Sequence, residues 1–250
     1  MTITYHTRND YNTLMLDMIK AVEGAGPKLY PAVDPTLTWG YGYTFLRKDI
    51  TGRWSINEFL EPDLGIAELN ISLSETELQQ LNDIADQLNT GTAEGATQAA
   101  ALRDTFITNW NNTHSDLSVS QQEALFLADH EHQKNFLLNR LQSPRLGLTP
   151  EQGLGIYNSL ENTKELIAIM SLFYNAQTLV GRNLARALLQ GNRAEAWYQI
   201  RYGWAANNPA NNDGWAKRHY AESAVFKIEN PGQIPVFSNI RNDTKRLNTD

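Results

Sequence analysis

The sequence predicts an α+β protein that is mainly helical, with one small antiparallel sheet between about residues 28 and 60. Three observations support this prediction. Apolar residues recur at helical spacing in several long stretches of the chain. Strand-forming Thr, Tyr and Trp residues are concentrated in 37–45, where glycines interrupt them. Pro31 and Pro35 precede that stretch and indicate turns, as expected at the edge of a short sheet.

The composition is that of a globular protein and disfavours several functions. The chain has 250 residues, of which 41% are hydrophobic and 20% charged, enough for one large core or two modest lobes. No run of 18 apolar residues occurs, so no membrane insertion is expected. A net charge of −7 disfavours nucleic-acid binding. With no cysteine, the chain has no disulfide or thiolate chemistry.

The first helix is predicted over 11–23. Apolar residues recur at four-residue intervals from 14 to 22, so one face of this helix is apolar. Glu23 follows that face directly, and the glycines and Pro27 after it end the helix. A carboxylate is therefore expected at a helix end, next to a small sheet over 27–60.

Helices are predicted through most of the remaining chain. Capping boxes at Ser74–Glu77 and at Ser120–Glu123 each indicate a helix start, and Pro150 starts another. The helix that begins at Leu166 is expected to be the most buried, since nearly all its residues are apolar. The predicted helices without such a start signal cover 92–112, 166–180, 184–189, 194–202 and 215–225.

The stretch from Glu23 to Phe45 resembles the signature of the phage-type lysozymes (muramidases) of the T-even phage lysozyme group. That signature is a helix-end Glu-Gly, a Tyr seven residues after the Glu, and a Thr-x-Gly-x-Gly strand eight residues after the Tyr. Glu23-Gly24, Tyr30 and the run 38–42 (Thr-Trp-Gly-Tyr-Gly) keep both intervals without a gap. The resemblance resumes in the C-terminal half, in the family's order, at Tyr174-Asn175-Ala176, at Trp197 with Trp204, and at Ala216-Lys217-Arg218.

The resemblance covers about half the chain and implies a lysozyme-like fold with a small β-sheet lobe and a larger helical lobe. Residues 1–60 would form the N-terminal helix and the β lobe with the catalytic site. Residues 61–150 would be an extra helical insertion, and 151–250 the C-terminal helical lobe. The three parts together would form one catalytic unit.

Glycoside hydrolysis needs an acid to protonate the leaving oxygen and usually a second carboxylate to activate water. The resemblance implies that Glu23 is the acid and that Thr38 positions the water. A carboxyl between an apolar helix face and a sheet would be partly desolvated, which favours its protonated form. The alternatives are a solvated helix-end Glu23 and an ordinary strand Thr38.

The second carboxylate departs from the family pattern. The family's catalytic Asp stands two residues after the Tyr, a position that is Ala32 here. In a divergent branch typified by the bacteriocin pesticin it stands six residues after the Thr, which is Thr44 here. Asp34 is the candidate base, although Asp before Pro is also a common turn former. Asp49 is the reserve candidate, expected instead to form a surface ion pair with the basic residues before it.

Five further residues are candidate substrate contacts. Tyr30, Tyr41 and Tyr43 could stack on sugar rings, or some of them could belong to the core. Asn175 and Arg218 could contact substrate from the C-terminal lobe, or cap and pair within it.

No metal or cofactor is expected. His130-Glu131-His132 contains metal-ligating residue types, but residues two apart on a helix point to different sides. A solvated polar face is therefore the interpretation of this cluster.

From the sequence we hypothesise that the protein is a muramidase, which hydrolyses the β-1,4 bond between N-acetylmuramic acid and N-acetylglucosamine in peptidoglycan. The N-terminus lacks a signal-peptide pattern. We therefore expect synthesis in the cytoplasm and action on the cell wall after release, as an endolysin or as a delivered antibacterial toxin. Its expected partners are glycan strands and an immunity or delivery protein, not nucleic acid. The alternatives are a lytic transglycosylase that uses Glu23 alone and a non-catalytic protein that binds glycan or a partner.

Overall fold

The computed structural model describes residues 6–23, 26–31, 36–48, 51–57, 73–203 and 213–227. These residues confirm a mainly helical α+β protein with small antiparallel sheets. The helices are Arg8–Val22 (α1), Glu75–Asn89 (α2), Ala93–Thr113 (α3), Val119–Leu141 (α4), Pro150–Leu160 (α5), Lys164–Asn175 (α6), Arg182–Leu189 (α7), Arg193–Tyr202 (α8) and Asp213–Phe226 (α9). The strands are Gly26–Pro31 (β1), Leu37–Gly40 (β2), Tyr43–Thr44 (β3), Leu46–Lys48 (β4) and Trp54–Ile56 (β5).

The chain divides into two compact units. The sheet unit comprises residues 23–129, and the helical unit comprises residues 1–22 together with 130–250. The boundaries between the units, at 22/23 and 129/130, do not coincide with 60 or 150. The division into a catalytic part, an insertion and a C-terminal lobe stays a prediction.

The sheet unit contains a three-stranded antiparallel sheet in the order β1-β2-β3 and a two-stranded ladder of β4 and β5. Gly40 and Gly42 connect β2 to β3 with φ angles of 62° and 98°. A side chain is strained at such angles, so the two glycines of the Thr-x-Gly-x-Gly run are required by this turn.

Aromatic side chains join the sheet to the helices of the same unit. The ring of Trp110 on α3 lies 5.1 Å from that of Phe45 and 5.4 Å from that of Trp39, edge to face in both cases. Phe106, also on α3, stacks on Trp110 at 5.8 Å. All four side chains are at most 2% exposed. Residues of the predicted insertion thus share one hydrophobic core with the sheet, and their removal would expose it.

The helix starts follow local capping signals, with one correction. Ser74 and Glu77 form the predicted capping box at α2. The box predicted at Ser120 is wrong, because α4 begins at Val119, two residues before the predicted box would start its helix. The Ser118 hydroxyl accepts from the N–H of Gln121, whose side chain accepts from the Ser118 N–H. The earlier start places Leu117, which is 4% exposed, in the core directly before the cap.

The helical unit is built around α6. Every residue from 164 to 173 is buried, which confirms the expected burial of this helix. The helix ends at Asn175 rather than at 180, because Ala176 adopts an extended conformation with φ −158° and ψ 121°. A short 3-10 turn, Gln177–Leu179, follows it.

The prediction of a solvated face at residues 130–132 is wrong for His130. Its side chain is 0% exposed, and its Nε2 lies 3.1 Å from the hydroxyl of Tyr11 on α1. The ammonium group of Lys134 lies 4.7 Å from the centre of the Tyr11 ring. Glu131 is partly exposed and pairs with Lys134 at 2.9 Å.

We expect acid to destabilise the protein through His130. Burial, and then the positive charge of Lys134, lower the pKa of His130 to about 3, whereas an unfolded histidine titrates near 6.5. Between these values the unfolded chain binds the extra proton, so stability should fall with decreasing pH by up to about 1.4 kcal/mol per pH unit. Urea unfolding of wild type and His130→Gln at several pH values measures this contribution.

The matched control is His132→Gln, on the partly exposed side of the same helix. The wild type and His132→Gln should share the acid-dependent loss, and His130→Gln should show a shallower one. Equal slopes in all three proteins would contradict a buried neutral His130.

Candidate functional site

Three residues form one row across the three-stranded sheet. Thr38 on β2 pairs with Tyr30 on β1 and with Thr44 on β3. The neighbouring pair, Trp39 with Tyr43, belongs to the hydrophobic core. Because side chains alternate between the faces of a strand, the Tyr30–Thr38–Thr44 row lies on the face away from that core. The eight-residue interval of the signature therefore corresponds to a direct cross-strand pair.

Glu23 lies near enough to Tyr30 for its charge to act on the Tyr30 phenol. It directly follows the last residue of α1 and is partly buried. Burial of the Tyr30 phenol, and then the negative charge of Glu23, raise the pKa of Tyr30 above its usual value. The charge of Glu23 thus acts on Tyr30, which pairs directly with Thr38.

The candidates for the second carboxylate lie outside the described residues. Asp34 belongs to 32–35, and Asp49 to 49–50. The paired residues Pro31 and Leu37 bound the segment that contains Asp34. The guanidinium of Arg47 lies 3.0 Å from the largely buried Asp129. The surface pairing of Asp49 stays a prediction.

The three tyrosines differ in exposure. Tyr30 is partly exposed, whereas Tyr41 is 8% and Tyr43 1% exposed. The Tyr43 ring packs edge to face on Phe45 at 5.8 Å. Burial, and then the charge of Asp129, raise the pKa of Tyr43 well above its usual value. The prediction that Tyr43 stacks on sugar is therefore wrong, because its ring is enclosed in the core.

Arg218 and Asn175 belong to the helical unit. Arg218 on α9 is 8% exposed, donates from Nη2 to the Ser171 carbonyl at 2.7 Å and from Nε to Glu222 at 3.1 Å. Ser171 also donates to Glu222, at 2.9 Å. Of the two alternatives for Arg218, the structure supports pairing within the lobe, because its guanidinium is part of this buried network between α6 and α9. Asn175 is partly exposed at the last residue of α6.

Ser171 and Glu222 are not indicated by any motif of the sequence. The only local signal was the four-residue spacing of Arg218 and Glu222, which favours an ion pair on a helix. That spacing does not reveal burial. The burial arises from α6, which lies about 50 positions earlier in the chain.

The described residues contain no group of three or more His, Asp or Glu side chains that could hold a metal ion. No helix in the same part of the chain is both long and apolar enough to cross a membrane.

Comparisons with known proteins add no family assignment. None of the protein-family models matches the chain, and no curated protein is significantly similar to it.

Proposed function

We propose that the protein is a peptidoglycan-degrading muramidase with its catalytic residues in the sheet unit. The observation that carries this proposal is the proximity of Glu23 to Tyr30, which pairs directly with Thr38. Glu23, Tyr30 and Thr38 are three of the positions that carry the resemblance to phage-type lysozymes. A lysozyme-like arrangement of the fold is part of the same proposal.

In this mechanism Glu23 is the general acid. Its carboxyl protonates the glycosidic oxygen as the bond to the leaving sugar breaks. A second carboxylate removes a proton from a water molecule that attacks the anomeric carbon from the opposite face, so the anomeric configuration inverts. The Thr38 hydroxyl hydrogen-bonds that water. Tyr30 is the aromatic residue of the row that retains exposed surface for a sugar ring.

We expect Asp34 to be the second carboxylate. Asp34→Asn should slow solubilisation of purified peptidoglycan by about 10²- to 10⁴-fold, since it removes a general base. Asp49→Asn is the matched control and should leave the rate near that of wild type. A large loss confined to Asp49→Asn would assign the role to Asp49.

Thr44 offers a gain-of-function test of the same assignment. It pairs with Thr38 and occupies the position that holds Asp in the divergent branch. If a carboxylate is needed beside Thr38, Thr44→Asp should restore part of the activity lost in Asp34→Asn. Similar small losses in the Asp34 and Asp49 variants, with no gain from Thr44→Asp, would contradict hydrolysis by a carboxylate pair.

The second candidate function is a lytic transglycosylase. It is favoured because both positions that hold the second carboxylate in the family are non-acidic here. One is Ala32, and the other is Thr44, which pairs with Thr38. Glu23 would then serve as both acid and base, and the muramic acid C6 hydroxyl would replace water as the nucleophile.

Peptidoglycan strands, an immunity or delivery protein, and action on the cell wall after release or delivery remain part of the proposal. They rest on the muramidase assignment.

A further inference from the structure

Three arginines lie around the first turn of α7 in the helical unit. Arg140 is in the last turn of α4, Arg145 is in the 3-10 turn Pro144–Leu146, and Arg182 is the first residue of α7. They come from three separate elements. Their meeting is a property of the fold that no sequence motif indicates.

Hydrogen bonds hold these side chains in place. The Nε of Arg140 donates to the carbonyl of Val180 at 3.3 Å, two residues before α7. The Nη2 of Arg182 donates to the carbonyl of Arg145 at 3.3 Å. A Cβ placed on Gly147 would lie 3.5 Å from the Nε of Arg182, so this side chain runs along the turn. Each of these bonds uses one N–H group of a guanidinium that carries five.

The described residues provide no counter-charge in direct contact with this arginine cluster. Within the described ranges, no Asp or Glu forms an ion pair with Arg140, Arg145 or Arg182. Burial, and then the charge of Arg145, lower the pKa of Arg140, as expected when like charges are held close together. Clustering cations without a counter-charge is unfavourable, and an anion would relieve the repulsion.

The first turn of α7 adds backbone N–H groups, which also favour a negatively charged ligand. The N-cap residue is Gly181, and no side chain caps the helix. The first N–H groups of a helix have no partner within it, and they carry the positive end of the helix dipole. Guanidinium groups beside a helix N-terminus form an arrangement that binds phosphate well.

We propose that Arg140, Arg145, Arg182 and the N-terminus of α7 form a binding site for a phosphate group. The site carries three formal positive charges in a chain whose net charge is −7, so it is a local exception to the charge of the protein. A doubly charged phosphate monoester fits it better than a single carboxylate, because it offers three oxygens to several donors. The phosphate can be a free ion or the headgroup of a lipid such as phosphatidic acid. The site belongs to the helical unit and does not depend on the proposed muramidase activity.

Phosphate protection of the full-length protein against thermal unfolding tests this proposal. Wild type should be stabilised by sodium phosphate more than by sodium chloride at equal ionic strength, because only the folded state holds the site. The Arg145→Gln/Arg182→Gln variant should bind phosphate about tenfold or more weakly, since it loses charge-assisted hydrogen bonds. Arg8→Gln is the control, because Arg8 is an exposed arginine of the same unit and its replacement removes one positive charge, as each of the two substitutions does.

Two further measurements complete the test. Both replaced arginines are exposed, so the double variant should unfold in chloride like wild type. If it does not, Arg145→Gln alone is used, since it keeps the backbone carbonyl that Arg182 contacts. Sedimentation with phosphatidylcholine vesicles, with and without phosphatidic acid, separates a lipid source from free phosphate. Binding in either arm that depends on the arginines supports the site. No difference between wild type and the arginine variants in both arms would overturn it.

Discussion

Replacing Glu23 with Gln is expected to slow peptidoglycan solubilisation by about 10²- to 10⁴-fold. The substitution keeps the size of the side chain and its hydrogen-bonding capacity but removes the proton that the leaving oxygen needs. The partly buried position of Glu23 beside Tyr30 should be retained, so the loss would reflect chemistry rather than folding. The rate is measured as the release of reducing sugars from purified peptidoglycan, or as the release of soluble muropeptides detected by their absorbance.

Glu75→Gln is the matched control for this variant. Glu75 is exposed in the first turn of α2, within the same unit, and the change removes the same charge. The control should degrade peptidoglycan at the wild-type rate. Equal rates for wild type and Glu23→Gln would show that Glu23 is not the acid.

Replacing Arg193 with Met is expected to lower the free energy of unfolding by about 3–5 kcal/mol, the usual cost of leaving a buried charge without its partner. Arg193 contacts Glu165 at 2.7 Å, and the Glu165 side chain is 0% exposed. Arg193 also donates to the carbonyls of Phe226 and Lys227, at the C-terminal end of α9. The substitution thus removes both the counter-charge and a cap. Chemical denaturation measures the loss.

Two variants make this experiment specific. Arg103→Met breaks a pair with Asp104, whose side chain is 64% exposed, and should cost less than about 1 kcal/mol. The double variant Glu165→Leu/Arg193→Met removes both charges and should recover part of the stability lost in Arg193→Met. A loss in Arg193→Met no larger than that in Arg103→Met would show that the buried pair contributes little.

Local signals predicted the elements of this fold well. The apolar periodicity of α1, the Ser74–Glu77 box and Pro150 each depend on residues a few positions apart, which the chain displays directly. The start of α4 was placed two residues late because Ser118-x-x-Gln121 and Ser120-x-x-Glu123 overlap in the sequence. The choice between them depends on the burial of Leu117, a tertiary property.

The burial of polar residues could not be predicted in the same way. His130 is enclosed with Tyr11, more than 100 positions away, and Arg218 with Ser171 on α6. The sequence predicts a solvated face for His130, because most titratable side chains are exposed, and leaves open whether Arg218 contacts substrate or pairs within its lobe. Their partners come from distant elements, so no local pattern marks them. Tyr43 was misassigned for the same reason, since its core neighbours include residues of α3.

In the candidate site, the structure explains one interval of the motif. The interval between Tyr30 and Thr38 has a simple structural meaning, because it places the two residues opposite each other in adjacent strands. A hairpin of this kind is a local structure. The position of the second carboxylate is not determined by the same interval, which is why Asp34 stays a prediction.

Mass spectrometry of the muropeptides released from purified peptidoglycan tests the muramidase proposal most directly. The wild-type protein should release fragments that end in a reducing N-acetylmuramic acid, since water attacks the anomeric carbon of this sugar while Glu23 protonates the leaving oxygen. Glu23→Gln should release almost none of them. Fragments ending in 1,6-anhydro-muramic acid would instead identify a lytic transglycosylase. If the wild-type protein bound the cell wall and released no fragments, the proposal of an enzyme would be contradicted.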